Sequence, residues 1–426
     1  MKNYSNRIID ELLARKLAGM GAVLLQGPKW CGKTTTCEQI AKSAVYMADP
    51  KNRKSNLQLA ETAIDELLKG ESPHLLDEWQ DAPQLWDAVR HHVDHADECG
   101  LFILTGSAVP PKADAISHTG TGRIAPLLMR PLSLWESGES SGTVSMGALF
   151  AGESFEPKKC VDRSLREMAY IACRGGWPKA VSQSGEIALD RAFDYYNAVV
   201  NADVARADGK VRNPRRVAML MRSYARLQGT QSNLSAIKAD MAANDSDALD
   251  EDTVASYLDA LRKIFVVEDM PAWSPKLRLK SVIRTSDTRY FIDPSIAVAA
   301  LDAGPDDLMN DLNTFGLIFE TMAIRDLRVY ADALLGRVDH YHDASGLECD
   351  AIVHTRHGKF GLVEIKLGGE TLIGKGAASL VKLANTIDVE KVGAPSFLMV
   401  VTATGDAAYK RTEDGVIVCP LACLRD

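Results

Sequence analysis

The sequence lacks a CxxC pair, an internal repeat, a low-complexity tract and any run of about 18 apolar residues. Its eight cysteines are scattered. Cys31 sits in a glycine-rich stretch, and Cys419 and Cys423 are the nearest pair. That usage excludes a disulfide framework and leads us to expect a reduced, cytoplasmic protein. The missing apolar run excludes a membrane-spanning helix, so no membrane partner is expected. The N-terminal MKNYSNRIIDELLARK is charged and amphipathic, without the apolar stretch of a secretory leader. Aromatic residues are few, yet 46% hydrophobic and 25% charged residues give a globular composition. A chain of 426 residues exceeds one ordinary core, so two or three domains are expected. The net charge of −8 argues against bulk coating of DNA but leaves room for a local basic strip.

Short apolar runs alternate with helical stretches in the first third. Gly21–Gln26 reads as a buried strand, followed by a helix over Lys33–Ser43. Val45–Met47, His74–Leu76 and Leu101–Leu104 read as further strands, with a helix near Asn56–Leu68. This alternation predicts a doubly wound parallel sheet. Ser137–Gly152, rich in Gly and Ser, reads as a loop or boundary. Beyond it, helices over Arg215–Gln228, Asn233–Met241 and Asp252–Ile264 precede strands at Val266–Trp273 and Arg289–Ile292, the order of a winged helix. From Phe315 a helix to Tyr330 leads into strands at Asp339–His342, Glu348–His354 and Phe360–Lys366, a helix over Thr371–Ile387 and a strand at Ser396–Val401. The expected fold class is α/β, with three domains at 1–137, 153–300 and 310–426.

The strongest motif is GPKWCGKT, Gly27 to Thr34, which fits GxxxxGK(S/T). The expected nucleotide contacts are Gly27, Pro28, Gly32, Lys33, Thr34 and Thr35. Glycines let successive backbone N–H groups face phosphate oxygens, Lys33 reaches the β and γ phosphates, and the Thr34 hydroxyl ligates Mg²⁺. HLLDEWQ supplies Asp77 for the Mg²⁺ water shell and Glu78 as a general base for the attacking water. FILTGSA places Thr105 and Ser107 at a strand end, where Thr105 is expected to sense the γ phosphate. Arg123 is the candidate cation for the transition state, in cis or across a subunit interface, with Arg130 the lesser candidate.

A second constellation lies near the C-terminus. Asp350 starts an apolar strand, and the strand holding Glu364 and Lys366 follows. A hairpin would let Asp350 meet Glu364. Two carboxylates then hold Mg²⁺ and the lysine activates water or stabilises charge. The pattern is that of PD-(D/E)xK nucleases, with Glu320 as a further ligand. A solvated edge-strand charge pair is the bland alternative. Lys276, Arg278, Lys280 and Arg284 suggest a basic strand for phosphate or a solvated edge. Arg206, Lys210, Arg212, Arg215 and Arg216 pose the same choice. His91 and His95 share a helix face without an intervening glutamate, so surface packing is expected over a metal site, and Leu85 and Trp86 read as packing residues.

GPKWCGKTTT, LLDEWQDAPQLWDAV, FILTGSA, the Gly122-Arg123 pair and PLSLWE occur in that order. GGWPKA, TVASYLDAL, YFIDPS, FGLIFE and LECDAIV…LVEIK follow. Together the chain resembles prokaryotic AAA-type ATPases that carry a C-terminal domain of unknown function. The resemblance implies a P-loop NTPase parallel-sheet core, a helical winged-helix-like middle and a nuclease-like α/β end, with ATP as the nucleotide. It maps Lys33, Thr34, Asp77 and Glu78 onto the ATPase residues and Asp350, Glu364 and Lys366 onto the nuclease-like ones. Trp30 and Cys31 depart from the common GPRQVGKT form of the loop, both at variable positions. The expected activity is ATP hydrolysis coupled to DNA through the middle and C-terminal domains, with an ATP-dependent homo-oligomer possible in principle. The alternatives are a nuclease-like domain that only recognises DNA or protein, and a switch for which DNA is irrelevant.

Overall fold

The computed structural model describes residues 4–108, 120–207, 209–244, 249–273 and 286–426. The expected basic strand at Lys276–Arg284 lies outside the described residues. The chain forms two compact units. One comprises Met1–Pro131 with Val199–Asn213 and Asp259–Val266, and the other Leu132–Ala198, Pro214–Leu258 and Val267–Asp426.

The first unit is built on strands β1 (Ala22–Gln26), β2 (Ser43–Tyr46), β3 (His74–Asp77), β4 (Phe102–Gly106) and β5 (Ile124–Leu128). All pair in parallel, in the order β2-β3-β4-β1-β5. β1, β3 and β4 are near-continuous apolar runs because both faces of a parallel sheet are covered. The helix Gln84–Asp94 turns Leu85, Trp86 and Val89 into the core beside Trp79, Leu76 and Leu104. Leu85 and Trp86 are thus packing residues, as expected. The helix predicted over Lys33–Ser43 is shorter, Lys33–Cys37. Lys33 is followed by three consecutive threonines, β-branched residues that resist helix propagation, and β2 begins at Ser43.

Register sets the working end of this sheet. Gln26 pairs with Gly106 and with Leu128, and Leu76 pairs with Leu104. The strands therefore finish level, and the segments after β1, β3, β4 and β5 emerge at one end.

Helices Pro214–Arg226, Leu234–Asn244 and Glu251–Lys263, of which residues 259–263 belong to the first unit, precede antiparallel bridges Val267–Phe291 and Met270–Thr288. The winged-helix order is present, with isolated bridges where full strands were expected. Ser137–Gly152 is not a plain loop. It holds β6 (Val144–Ser145) and the helix Met146–Ala151, and β7 (Lys158–Lys159) follows. Then come β8 (Arg337–His342), β9 (Glu348–His354), β10 (Phe360–Lys366), β11 (Leu398–Thr402), β12 (Ala407–Lys410), β13 (Ile417–Pro420) and β14 (Leu424–Arg425). Seven of these form a mixed sheet in the order β7-β12-β13-β11-β10-β9-β8, and β14 pairs with β6. The helix Glu370–Thr386 covers it, packing Ala377, Leu380 and Leu383 on Ile352, Leu362 and Val400.

One reading of the cysteines is corrected here. Cys160 and Cys423 form a disulfide between residues 263 apart in sequence, a pairing that spacing could not suggest. The other six cysteines are free.

A buried ionic knot holds the second unit together. Arg325 donates to Asp293 at 2.9 Å and to Asp326 at 2.7 Å, and all three are almost fully buried. Asp326 also accepts the Leu134 N–H and Asp293 the Gly176 N–H. The Trp177 indole donates to Ser295. The motifs PLSLWE, GGWPKA and YFIDPS thus converge on one arginine, and their role here is architectural.

Candidate functional site

The segment after β1 forms a tight loop around Lys33. Gly27 has φ +153 and Gly32 φ +104. A Cβ at Gly27 would stand 2.2 Å from the Met129 carbonyl oxygen, so only glycine fits where the loop passes the end of β5. Lys33 is buried, and its ammonium donates to the carbonyls of Gly27 at 2.9 Å and Pro28 at 2.7 Å. The side chain therefore lies along the inside of the loop. Thr35 is exposed, and its carbonyl accepts from Gln39.

β4 runs between β1 and β3, and this order brings three motifs together. The Thr34 hydroxyl donates to Asp77 Oδ1 at 2.7 Å, and the Thr105 hydroxyl donates to the same oxygen at 2.6 Å. Thr105 in turn accepts the Glu78 N–H at 3.1 Å. Glu78 adopts a left-handed backbone, φ +55, and its carboxylate accepts from Gln80 and from Ser107. Thr34 and Asp77 together form an oxygen-only donor set suited to a hard divalent cation. Thr105, expected to sense the γ phosphate, here bridges the acidic pair, donating to Asp77 and accepting from Glu78. Burial and then the nearby Asp77 push the Cys37 thiol far up, keeping it protonated.

The arginines change order. Arg123 precedes β5, at the level of Ala22, and pairs with Asp94. Five residues of strand, about 16 Å, separate it from the end where the loop lies. Arg130 follows β5 at the loop's own end, beside Met129.

In the other unit, β9 and β10 form the expected hairpin, with Ala351 opposite Val363. Asp350 and Glu364 are the next residues along these two strands. Lys366 lies between them, 3.0 Å from Asp350 and 2.6 Å from Glu364. Asp350 also accepts the Ile365 N–H at 2.7 Å. Glu364 Oε1 is buried with no hydrogen-bond partner. Glu320 is half-buried near this group and accepts the Tyr290 hydroxyl at 2.5 Å. Burial, reinforced by Asp350, pushes Glu320 and Glu364 each up to about 8. Burial alone would lower Lys366, but Asp350 and Glu364 outweigh it and hold the ammonium charged. One lysine thus lies between two carboxylates, with Glu320 as a further acidic neighbour. An excess of buried negative charge and an orphaned carboxylate oxygen suit a divalent cation. Among the described residues, however, no three His, Cys, Asp or Glu side chains already converge as a cation-holding group.

The remaining candidates are settled by packing. His91 and His95 have ring centroids 4.3 Å apart, and His95 Nδ1 meets the His91 carbonyl. Arg212 is buried, and Arg215 and Arg216 begin the helix Pro214–Arg226. Sequence reading missed Arg7, Asp203 and Tyr290, which acquire meaning only through tertiary partners. Asp203 meets Lys29 of the loop at 2.5 Å.

Residues 20–137 match the AAA domain family. The N-terminal region has the AAA-type P-loop ATPase fold. Residues 165–307 match a domain of unknown function, DUF8612, and residues 315–424 another, DUF4143. Over 264 residues the chain is 27% identical to the uncharacterized proteins Rv2008c of Mycobacterium tuberculosis and Mb2031c of Mycobacterium bovis, covering 61% of this chain. It spans about half the length of these curated relatives, 52% of each. The Walker-type ATPase PABY2304 of Pyrococcus abyssi is 14% identical, with a TM-score of 0.44 over 70% of this chain and 96% of that one. Among the described residues, no helix is long and apolar enough to cross a membrane.

Proposed function

We propose that the chain hydrolyses ATP at the loop Gly27–Thr34. The observation that carries this reading is the junction at Asp77, where hydroxyls from the loop and from β4 meet one carboxylate oxygen. Lys33 neutralises the β and γ phosphates, and backbone N–H groups of the loop hold them. Thr34 and Asp77 would hold Mg²⁺, which supplies charge neutralisation of the phosphates when bound. Glu78, fixed by its left-handed backbone and by Gln80 and Ser107, accepts a proton from the attacking water. Arg130 is the cation at the same sheet end. Arg123, half exposed at the other end, acts only on a neighbouring subunit's site, which requires an oligomer. Lys33→Ala should abolish turnover, and Glu78→Gln should keep ATP binding while lowering kcat about a hundredfold or more. Turnover surviving Lys33→Ala would sink the assignment. Mass in solution with and without ATP tests the oligomer.

A second reading concerns the C-terminal hairpin. Lys366 between Asp350 and Glu364, with Glu320 behind them, supports a metal-assisted phosphodiesterase acting on DNA. Asp350 and Glu364 would hold the cation and Lys366 would orient or stabilise the attacking group. The alternative is a recognition module that keeps the arrangement without cleavage. Incubating DNA with the protein and Mg²⁺ or Mn²⁺ separates them, with Asp350→Ala and Glu364→Ala as controls.

A further inference from the structure

We propose that Arg7 is a positioning residue of the nucleotide site, an inference that rests on the ATP reading of the loop. Its guanidinium is almost fully buried. One arm donates to the Cys31 carbonyl at 3.1 Å, and the other donates to the Arg130 carbonyl at 2.9 Å.

The peptide plane explains what the contact does. In a trans peptide the carbonyl of one residue and the N–H of the next point in opposite directions. Holding the Cys31 oxygen on Arg7 therefore fixes the Gly32 N–H on the opposite side of the peptide, away from Arg7. Gly32 is free to take this orientation because its φ is +104. The second arm holds the backbone at Arg130, the arginine that the strand direction puts at the loop's end. One side chain thus sets a loop N–H and the base of a candidate catalytic cation.

Arg7 is itself anchored. Its own N–H donates to Asp10 at 2.8 Å. The Tyr4 hydroxyl donates to the other Asp10 oxygen at 2.6 Å and stands 2.9 Å from the Thr36 hydroxyl. With its proton on Asp10, Tyr4 accepts from Thr36. Residues 4–10 therefore close a ring of bonds around the loop and the helix Lys33–Cys37.

The test is calorimetric titration of the full chain with ADP, with and without Mg²⁺, alongside steady-state ATPase kinetics and thermal unfolding. Arg7→Lys keeps the charge and most of the stem, but one ammonium cannot span two carbonyls as a guanidinium does. It should weaken ADP about tenfold and raise KM more than it lowers kcat, with the protein folded. Arg7→Ala should weaken ADP further, and Arg7→Lys carries the test if Arg7→Ala does not fold. Tyr4→Phe should shift affinity in the same direction by less. Folded Arg7→Lys with wild-type ADP affinity and KM, even with a lower unfolding midpoint, overturns the proposal and leaves Arg7 a stability residue. Wild-type protein that binds no nucleotide overturns the ATP reading, and the role of Arg7 with it.

Discussion

The Thr105 hydroxyl donates to the Asp77 carboxylate at 2.6 Å, from the end of one strand to the end of its neighbour. Thr105→Val keeps the shape and removes the proton. Asp77 Oδ1 then retains Thr34 alone, and the Glu78 N–H loses its acceptor. The expected result is about a tenfold fall in kcat with a much smaller change in KM for ATP, restored by Thr105→Ser. Steady-state kinetics of the three proteins decide it. A rise in KM alone would return Thr105 to the phosphate-binding role that its motif suggests.

Arg325 offers a stability test remote from both candidate sites. Arg325→Met would leave Asp293 and Asp326 buried without their cation, a cost of about 3–5 kcal/mol. Asp326 is already pushed up to about 6 by burial, against the pull of Arg325. Denaturant unfolding should show the loss, and Asp326→Asn in the same protein should recover part of it. An unchanged midpoint would mean that the network is not what ties the three motifs together.

The hairpin predicts a cation effect. Mn²⁺ should raise the unfolding temperature of wild-type protein in the absence of nucleotide, and Glu364→Gln should abolish that rise. An equal rise in both proteins would locate the ion elsewhere.

His74 makes the first unit sensitive to acid. Burial lowers its pKa below the usual 6.5, opposed in part by the Leu67 carbonyl. The folded state therefore favours the neutral ring. Its contribution to stability is present above pH about 6.5 and is lost as pH falls below that value, where the unfolded chain takes up the proton first. Urea unfolding of the wild type between pH 7.5 and 5, compared with His74→Gln, should show the shallower slope in the variant.

How legible these features were depended on the range of the interactions behind them. β9 and β10 were readable to the residue, because apolar runs and turn residues bound them locally. β1, β3 and β4 were readable as buried parallel strands. The threonines at 34–36 shortened a helix that apolar pattern alone extends. β6, β7 and β14 have two residues each and exist only through distant partners, so no periodicity marks them. Asp77 and Glu78 were visible as a motif, but the use of Thr105 depended on β4 lying between β1 and β3. Likewise, the sequence ranks Arg123 above Arg130, and only the direction of β5 puts the two at opposite ends of that strand.

β7 joins β12, and β6 joins β14, across more than half of the chain. On the ribosome, residues 144–159 must wait for the last strands to emerge before their backbone donors and acceptors are paired. A fragment beginning at Phe315 would carry β12 and β14 with those edges bare, prone to capture other strands. Fragments made for separate study of the C-terminal sheet should therefore begin before Val144.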